Sequence, residues 1–246
     1  MATKRKTSHP RTALVISFCM LVAIMAGTFS PPDTAAKGKN QFTGSFMTDQ
    51  CNGFSSSGTN PFFVLEPGFT LVLEGREKRD VIHLTITVLD EITIVDGIAT
   101  RVVEERETRN DLLAEVSRNY FAICNRTNSV FYFGEDVDIY DDTGTTIVSH
   151  DGSWLAGVNE ARAGIVMPGT VLLGARYFQE VAPGVAMDRA EILSLSAVVE
   201  TPAGTFSDCL LTRETTPLDR RAKDFKFYAP GIGLVKDGVL LLKQLP

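Results

Sequence analysis

The stretch VIHLTITVL, Val81–Leu89, decides how the rest of the chain is interpreted. Its even-numbered positions are all aliphatic, whereas its odd-numbered positions include a histidine and two threonines. Successive side chains of a β-strand point to opposite faces, so this alternation predicts a strand with one strongly apolar face. The sequence on both sides contains further β-forming segments, which are separated by residues that favour turns.

Three turn signals divide the flanking sequence. Asp96-Gly97 favours a type I′ hairpin turn, residues 141–144 (DDTG) indicate a second hairpin, and Asp237-Gly238 marks a last turn. Leu112–Ile123 fits either a strand or a short helix. We interpret Asn159–Leu173, which is weakly patterned and contains Gly and Pro, as a long loop over one rim.

The sequence predicts about a dozen short strands, spaced roughly 8–12 residues apart. That number and spacing are typical of an all-β sandwich, barrel or half-barrel. We therefore predict a single all-β domain over residues 60–246, with a curved antiparallel sheet or incomplete barrel and a long rim loop. Residues 37–59, rich in Gly, Ser, Thr and Asn, are predicted to be a flexible linker.

The N-terminus has the layout of a secretory signal. Four basic residues precede the apolar run ALVISFCMLVAIMAG (13–27), and small residues follow as far as Ala36. The run is shorter than the roughly 20 residues of a membrane span. We predict a cleaved signal peptide over residues 1–36, export to the periplasm, cell envelope or medium, and no stable membrane span afterwards. The alternative is an uncleaved N-terminal anchor.

The charge of the chain argues against one class of binding partner, and its cysteine content limits the disulfides that it can form. The whole chain has a net charge of −6, and removal of residues 1–36 would take away four basic residues and one acid, leaving −9. An acidic protein repels phosphate backbones, so we predict no nucleic-acid partner. Cys51, Cys124 and Cys209 remain after cleavage and allow at most one internal disulfide, whose pair the sequence does not determine.

Eight motifs, taken in order, resemble a widespread family of exported bacterial proteins without an established activity. The resemblance covers about residues 60–245 and implies an exported β-rich domain, with no catalytic residue to carry over. The motifs are NPFF (60–63), PG (67–68), FYFGED (131–136), GSWLAG (152–157), GIVMP (164–168), YFQE (177–180), PAGTFSDC (202–209) and YAPGIGLV (228–235).

One segment departs from the family pattern. Where the family has acidic residues, this chain has Asn119 and Asn125, and Cys124 is an addition. The departure weakens any family role for those acids. It leaves Cys51 and Cys209 as alternative partners for Cys124.

Catalytic and metal motifs are weak. In residues 134–142 the acids lack the EF-hand spacing, and alternation places Asp136, Asp138 and Tyr140 on one solvated face. His150, Asp151 and Ser153 are too close in sequence for an ordinary triad, and His83 lies in the middle of a strand. We predict no metal and no cofactor.

Two kinds of site remain. Carboxylates on different predicted strands could converge for hydrolysis. The many aromatic residues either form an ordinary filled core or line an apolar cavity with a lid flanked by Trp154 and Met167. The leading hypothesis is non-enzymatic binding of a small apolar ligand, a lipid or an envelope protein. The alternatives are a secreted hydrolase and a structural envelope component. The candidate hydrolytic acids are Glu135, Glu180, Asp188, Glu191 and Glu214, and the candidate ligand-binding residues are Tyr132, Glu135, Trp154, Met167, Glu180, Asp188 and Tyr228.

Overall fold

The computed structural model describes residues 41–245, so the predicted signal peptide lies outside the described residues. Within that range the chain forms eighteen strands and a short 3-10 helix, Thr48–Cys51. None of its described helices is long and apolar enough to span a bilayer. The first nine strands are β1 (Phe54–Ser55), β2 (Gly58–Asn60), β3 (Phe63–Leu65), β4 (Thr70–Glu77), β5 (Asp80–Val95), β6 (Ile98–Arg109), β7 (Leu112–Cys124), β8 (Val130–Tyr140) and β9 (Ile147–Ser149). The others are β10 (Trp154–Leu155), β11 (Arg162–Met167), β12 (Arg176–Phe178), β13 (Glu180–Val181), β14 (Arg189–Thr201), β15 (Gly204–Thr215), β16 (Asp224–Ala229), β17 (Gly233–Asp237) and β18 (Leu240–Leu242).

Most strands join one antiparallel sheet. Its order is β12-β14-β15-β16-β17-β18-β4-β5-β6-β7-β8-β11-β13, with β1 added to β7 and both β9 and β10 added to β8. Only Gln179 separates β12 from β13, the strands at the two ends of that order. The sheet is therefore nearly closed into a barrel with one unsealed seam, and β2 and β3 form a small second sheet. The predicted all-β fold with a curved antiparallel sheet is confirmed.

The long β5–β6–β7 meander follows from local sequence. Ile82, Leu84 and Val88, from the apolar face of the stretch quoted first, are buried. Asp96-Gly97 joins β5 to β6 with φ values of 49° and 76°, the two positive values that a type I′ turn requires. Asn110-Asp111 joins β6 to β7 in the same way, with φ values of 52° and 65°. Two tight turns thus set the register of three strands.

Two ambiguous segments are strands. Leu112–Ile123 belongs to β7, because it is paired to β6 along one edge and to β8 along the other. The interpretation of Asn159–Leu173 as one loop needs a correction, since β11 lies inside it and pairs with β8. A side chain at Gly164 would place its Cβ 2.4 Å from the carbonyl oxygen of Gln179. The glycine that permits this close approach also weakens the strand pattern.

The segment before the barrel is attached to it. From residue 41 onward, the predicted flexible linker lies against β12, where the Thr43 amide donates to the Arg176 carbonyl at 3.0 Å. The Phe178 amide in turn donates to the Thr43 carbonyl at 2.8 Å. Residues 41–59 are therefore part of the folded domain, which corrects the predicted boundary at residue 60.

A disulfide reinforces this attachment. Cys51 is bonded to Cys124, 73 residues away, and Cys209 is a free, buried thiol. Closing a loop of that length stabilises the folded state by about 4 kcal/mol in the chain-entropy treatment. Of the two partners left open for Cys124, the fold selects Cys51 because the short strand β1 pairs with the end of β7.

Two apolar clusters fill much of the interior. The aromatic cluster includes Phe121 stacked on Tyr132, with ring centroids 4.8 Å apart, and Trp154 edge-on to Tyr132 at 5.2 Å. The aliphatic cluster consists of Leu71, Leu73, Ile82, Leu84, Val199, Cys209, Ala229, Val235, Leu240 and Leu242.

Candidate functional site

Several carboxyl groups share the inner face of the barrel with these apolar side chains. Glu107 of β6 lies opposite Leu84 of β5 and Glu115 of β7, and Glu105 shares its face two residues earlier. Cross-strand neighbours point to the same side of a sheet, so these carboxyl groups point inward. Burial raises the pKa of Glu107 to about 7, although the neighbouring Arg109 opposes the shift.

Strand β8 adds Tyr132 and Glu135 to the same interior. The Tyr132 hydroxyl donates to the Asn119 side-chain oxygen at 2.5 Å. Glu135 is fully buried and its Oε1 has no hydrogen-bond partner. Burial, followed by repulsion from Glu115 and Glu105, raises the pKa of Glu135 to about 8. A carboxyl group in this state can donate or accept a proton near neutral pH.

Glu180 and Asp188 flank a tight loop after β13. The Asp188 amide donates to Glu180 Oε1 at 2.5 Å, whereas the other oxygen of the buried Glu180 is unpaired. Burial and then the charge of Asp188 raise the pKa of Glu180 well above its usual range. Burial and then Glu214 raise the pKa of Asp188 to about 7. The hydrogen bond from the Asp188 amide thus keeps the Glu180 carboxyl group close to that of Asp188, although the two carboxylates repel each other.

Lys226 is the buried cation of this region. Its Nζ lies 3.1 Å from Glu214 Oε2 and 3.6 Å from Asp237 Oδ2. Burial alone would lower the pKa of Lys226, but Asp237 and Glu214 together raise it well above its usual range, so the side chain is protonated. Burial raises the pKa of Asp237 to about 7, against the attraction of Lys226. We call the eight carboxyl groups of Glu105, Glu107, Glu115, Glu135, Glu180, Asp188, Glu214 and Asp237 the acidic interior.

An open cavity leads to this part of the barrel. Its volume is about 70 Å³. Aromatic and aliphatic side chains form most of the wall, and four polar side chains form the remainder. The apolar wall includes Phe63, Phe69, Leu71, Ile86, Val88, Val103, Phe121, Val166, Ile232 and Leu234, and the polar residues are Glu105, Lys226, Tyr228 and Asp237.

The seven candidate ligand-binding residues fall into three groups. Four of them lie in or beside the acidic interior, where Glu180 interacts electrostatically with each of the other three: Tyr132, Glu135 and Asp188. Tyr228 lines the open cavity. The remaining two are Trp154 and Met167, which are buried members of the aromatic cluster.

The inward orientation of Lys226 is not evident from the sequence. The alternation of Phe225, Lys226 and Phe227 favours inward phenylalanines and an outward lysine. The structure has the reverse, with Phe225 36% exposed and Lys226 9% exposed. Cations cover the outward rings, since Lys223 Nζ lies 4.8 Å from the centre of Phe225. The signal that identifies Lys226 is its register opposite Asp237, and register is not visible in sequence.

Other candidate residues lie elsewhere. Glu191 forms ion pairs with Arg176, at 2.7 Å, and with Arg213, which holds the carboxylate outside the acidic interior. His150 is largely exposed and contacts Asp138 at 2.9 Å, and Ser153 accepts the Val137 amide at 2.8 Å. These two side chains therefore have separate partners and form no triad. His83 lies 3.5 Å from Glu74 on the barrel wall.

The acidic side chains of residues 134–142 do not form one cluster, because they lie in different surroundings. Asp136 is exposed and accepts a hydrogen bond from the Tyr120 hydroxyl at 2.6 Å, while the adjacent Glu135 points inward. The oxygen Asp141 Oδ1 accepts hydrogen bonds from its own turn, among them one from the Thr143 hydroxyl at 2.7 Å. Across residues 41–245, no group of three or more His, Cys, Asp or Glu side chains has an arrangement suited to a metal ion.

Comparisons with known proteins return no family model, no curated protein and no solved structure that matches the chain. The resemblance to exported bacterial proteins therefore stays a prediction.

Proposed function

We propose that this protein binds a small ligand with a largely apolar body inside its barrel, without converting it. The observation that carries the proposal is the open cavity, whose wall is mostly apolar and is formed by several strands. A concave apolar site with a few polar groups at one place is the usual form of a small-molecule site. If the aromatic residues filled the core completely, the barrel would not have this opening.

Export is part of the same proposal. The predicted signal peptide supports it, and the Cys51–Cys124 disulfide supports an oxidising compartment, since cytosolic thiols are normally kept reduced. We place the protein in the periplasm, the cell envelope or the medium, where an apolar molecule needs a carrier in water.

Titration with straight-chain alcohols tests the proposal. We expect saturable binding of 1-octanol by calorimetry, about three- to fourfold tighter for each added CH₂, because each buried CH₂ contributes about 0.8 kcal/mol. Ile86→Trp should weaken binding at least tenfold, since its indole would fill the cavity that Ile86 lines. Ile94→Trp, on the same strand but at a position 66% exposed, is the matched control and should leave binding unchanged. No saturable binding, or equal binding by a folded Ile86→Trp variant, would contradict the proposal.

A second candidate function is hydrolysis by paired carboxyl groups. It is favoured by Glu135, Glu180 and Asp188, whose buried carboxyl groups all have raised pKa values. General acid catalysis needs such a group near its operating pH. Turnover on a panel of glycans and esters that Glu180→Gln abolishes and the exposed-site change Glu200→Gln preserves would favour hydrolysis. Absence of turnover on every class would count against it.

A further inference from the structure

We propose that the polar side of the open cavity selects ligands that end in a protonated amine, which Asp237 and Glu105 bind directly. This inference rests on the proposed ligand-binding function and adds the chemistry of the ligand's polar end. It concerns the wall formed by Glu105 of β6, Lys226 and Tyr228 of β16, and Asp237 of β17.

The first observation is a buried acceptor without a partner. Asp237 is 3% exposed and lines the cavity. Its Oδ2 lies 3.6 Å from Lys226 Nζ, but its Oδ1 makes no hydrogen bond. Buried polar atoms in proteins are usually hydrogen-bonded, so this atom is suited to accept a hydrogen bond from a ligand.

The second observation is the local charge. Glu105, Glu214 and Asp237 surround Lys226, so three acids share one cation. A ligand carboxylate or phosphate would add to this excess of negative charge, whereas an ammonium group would reduce it. An ammonium group also brings three N–H donors, and an alcohol brings one. Charge and donor count therefore both favour an amine.

The burial of these carboxyl groups agrees with the geometry. Burial raises the pKa of Asp237 to about 7 and raises the pKa of Glu105 above its usual range. The groups that face Asp237 are Lys226 and Tyr228 on its neighbouring strand, Glu214 and Asp224 beyond, and Glu105 across the cavity. A bound ammonium would favour the ionised carboxylates, and binding would release protons to the buffer.

Three probes with the same eight-carbon chain separate head-group preference from apolar binding. We would titrate the protein, purified from an exporting host, with octylamine, 1-octanol and octanoate at pH 7.5. Octylamine should bind at least tenfold more tightly than 1-octanol, and octanoate should bind most weakly. Calorimetry in two buffers of different ionisation enthalpy should show proton release with the amine only.

Variants locate the effect. Asp237→Asn should weaken octylamine binding at least tenfold and change 1-octanol binding less than threefold. Glu200→Gln, which removes an exposed carboxyl group from β14, controls for attraction to the acidic surface and should change neither. If Asp237→Asn does not fold, Glu105→Gln takes its place with the same expectation.

The outcomes distinguish this inference from the proposed function. Equal binding of 1-octanol and octylamine, tighter binding of octanoate, or full amine affinity in the folded variant would overturn the amine preference and leave apolar binding intact. Failure of all three probes to bind would overturn both.

Discussion

Two regions inside the barrel differ in the effect of burial on stability. In the aliphatic cluster, Leu73 and Ile82 have no exposed surface, and each buried side chain of this kind stabilises the fold by about 1.5–3 kcal/mol. In the acidic interior, Glu135 and Glu180 are just as buried, but each has an oxygen without a hydrogen bond. Burying such a group lowers stability. The aliphatic cluster therefore serves folding, whereas the acidic interior is the better candidate for function.

The largest expected effect is a pH dependence that comes from the acidic interior. Glu107, Glu135, Asp188 and Asp237 have folded-state pKa values of about 7 to 8, above their unfolded values. The folded state therefore holds more protons than the unfolded state between about pH 5 and 8, and stability falls as pH rises through this window. We expect the free energy of unfolding to decrease between pH 5 and pH 8 by an amount on the order of 10 kcal/mol.

Urea unfolding at pH 5, 6, 7 and 8 measures this dependence. Below about pH 4.5 the trend should reverse, because Glu74 and Glu191 have lowered pKa values and lose their ion pairs when protonated. A free energy of unfolding that stays constant or rises between pH 5 and 8 would contradict this prediction. Burial of the acidic interior would then not differ from burial of the aliphatic cluster in its effect on stability.

A smaller effect is expected from the aliphatic cluster. Leu73→Ala removes a side chain with no exposed surface and leaves a cavity, so it should lower the free energy of unfolding by about 3 kcal/mol. The loss should be the same at pH 5 and pH 8, because no titrating group is involved. A loss that varies with pH would mean that the two regions are coupled.

The smallest effect is expected from Glu135→Gln at pH 5. Glutamine has nearly the shape of the protonated carboxyl group, so stability should change by less than about 1 kcal/mol. Between pH 6 and 7 the variant should lose less stability than the unmodified protein, by about 1 kcal/mol per pH unit, since one titrating group is gone. If the free energy of unfolding had the same pH dependence in both proteins, the carboxyl group with the raised pKa would not be that of Glu135.

Much of the fold could be predicted from local patterns. The alternation in Val81–Leu89 and the turn at Asp96-Gly97 depend only on near neighbours, and both are in the structure as predicted. β11 could not be predicted, because Gly164 is needed for contact with a segment fifteen residues later. Of the candidate site, Glu135, Glu180 and Asp188 were identified as acids on separate elements, but Glu105 was not, since β6 carries charges on both faces.

The β class, the hairpins and the acidic balance of the chain could be predicted from the amino-acid sequence, because strand period, turn conformation and charge are properties of neighbouring residues. The folded structure was needed to show that Cys51 pairs with Cys124 and that Lys226 points inward while Phe225 points outward. The physical reason is that partner and face are set by strand register across the barrel. Contacts between distant segments, such as Lys226 opposite Asp237, determine that register.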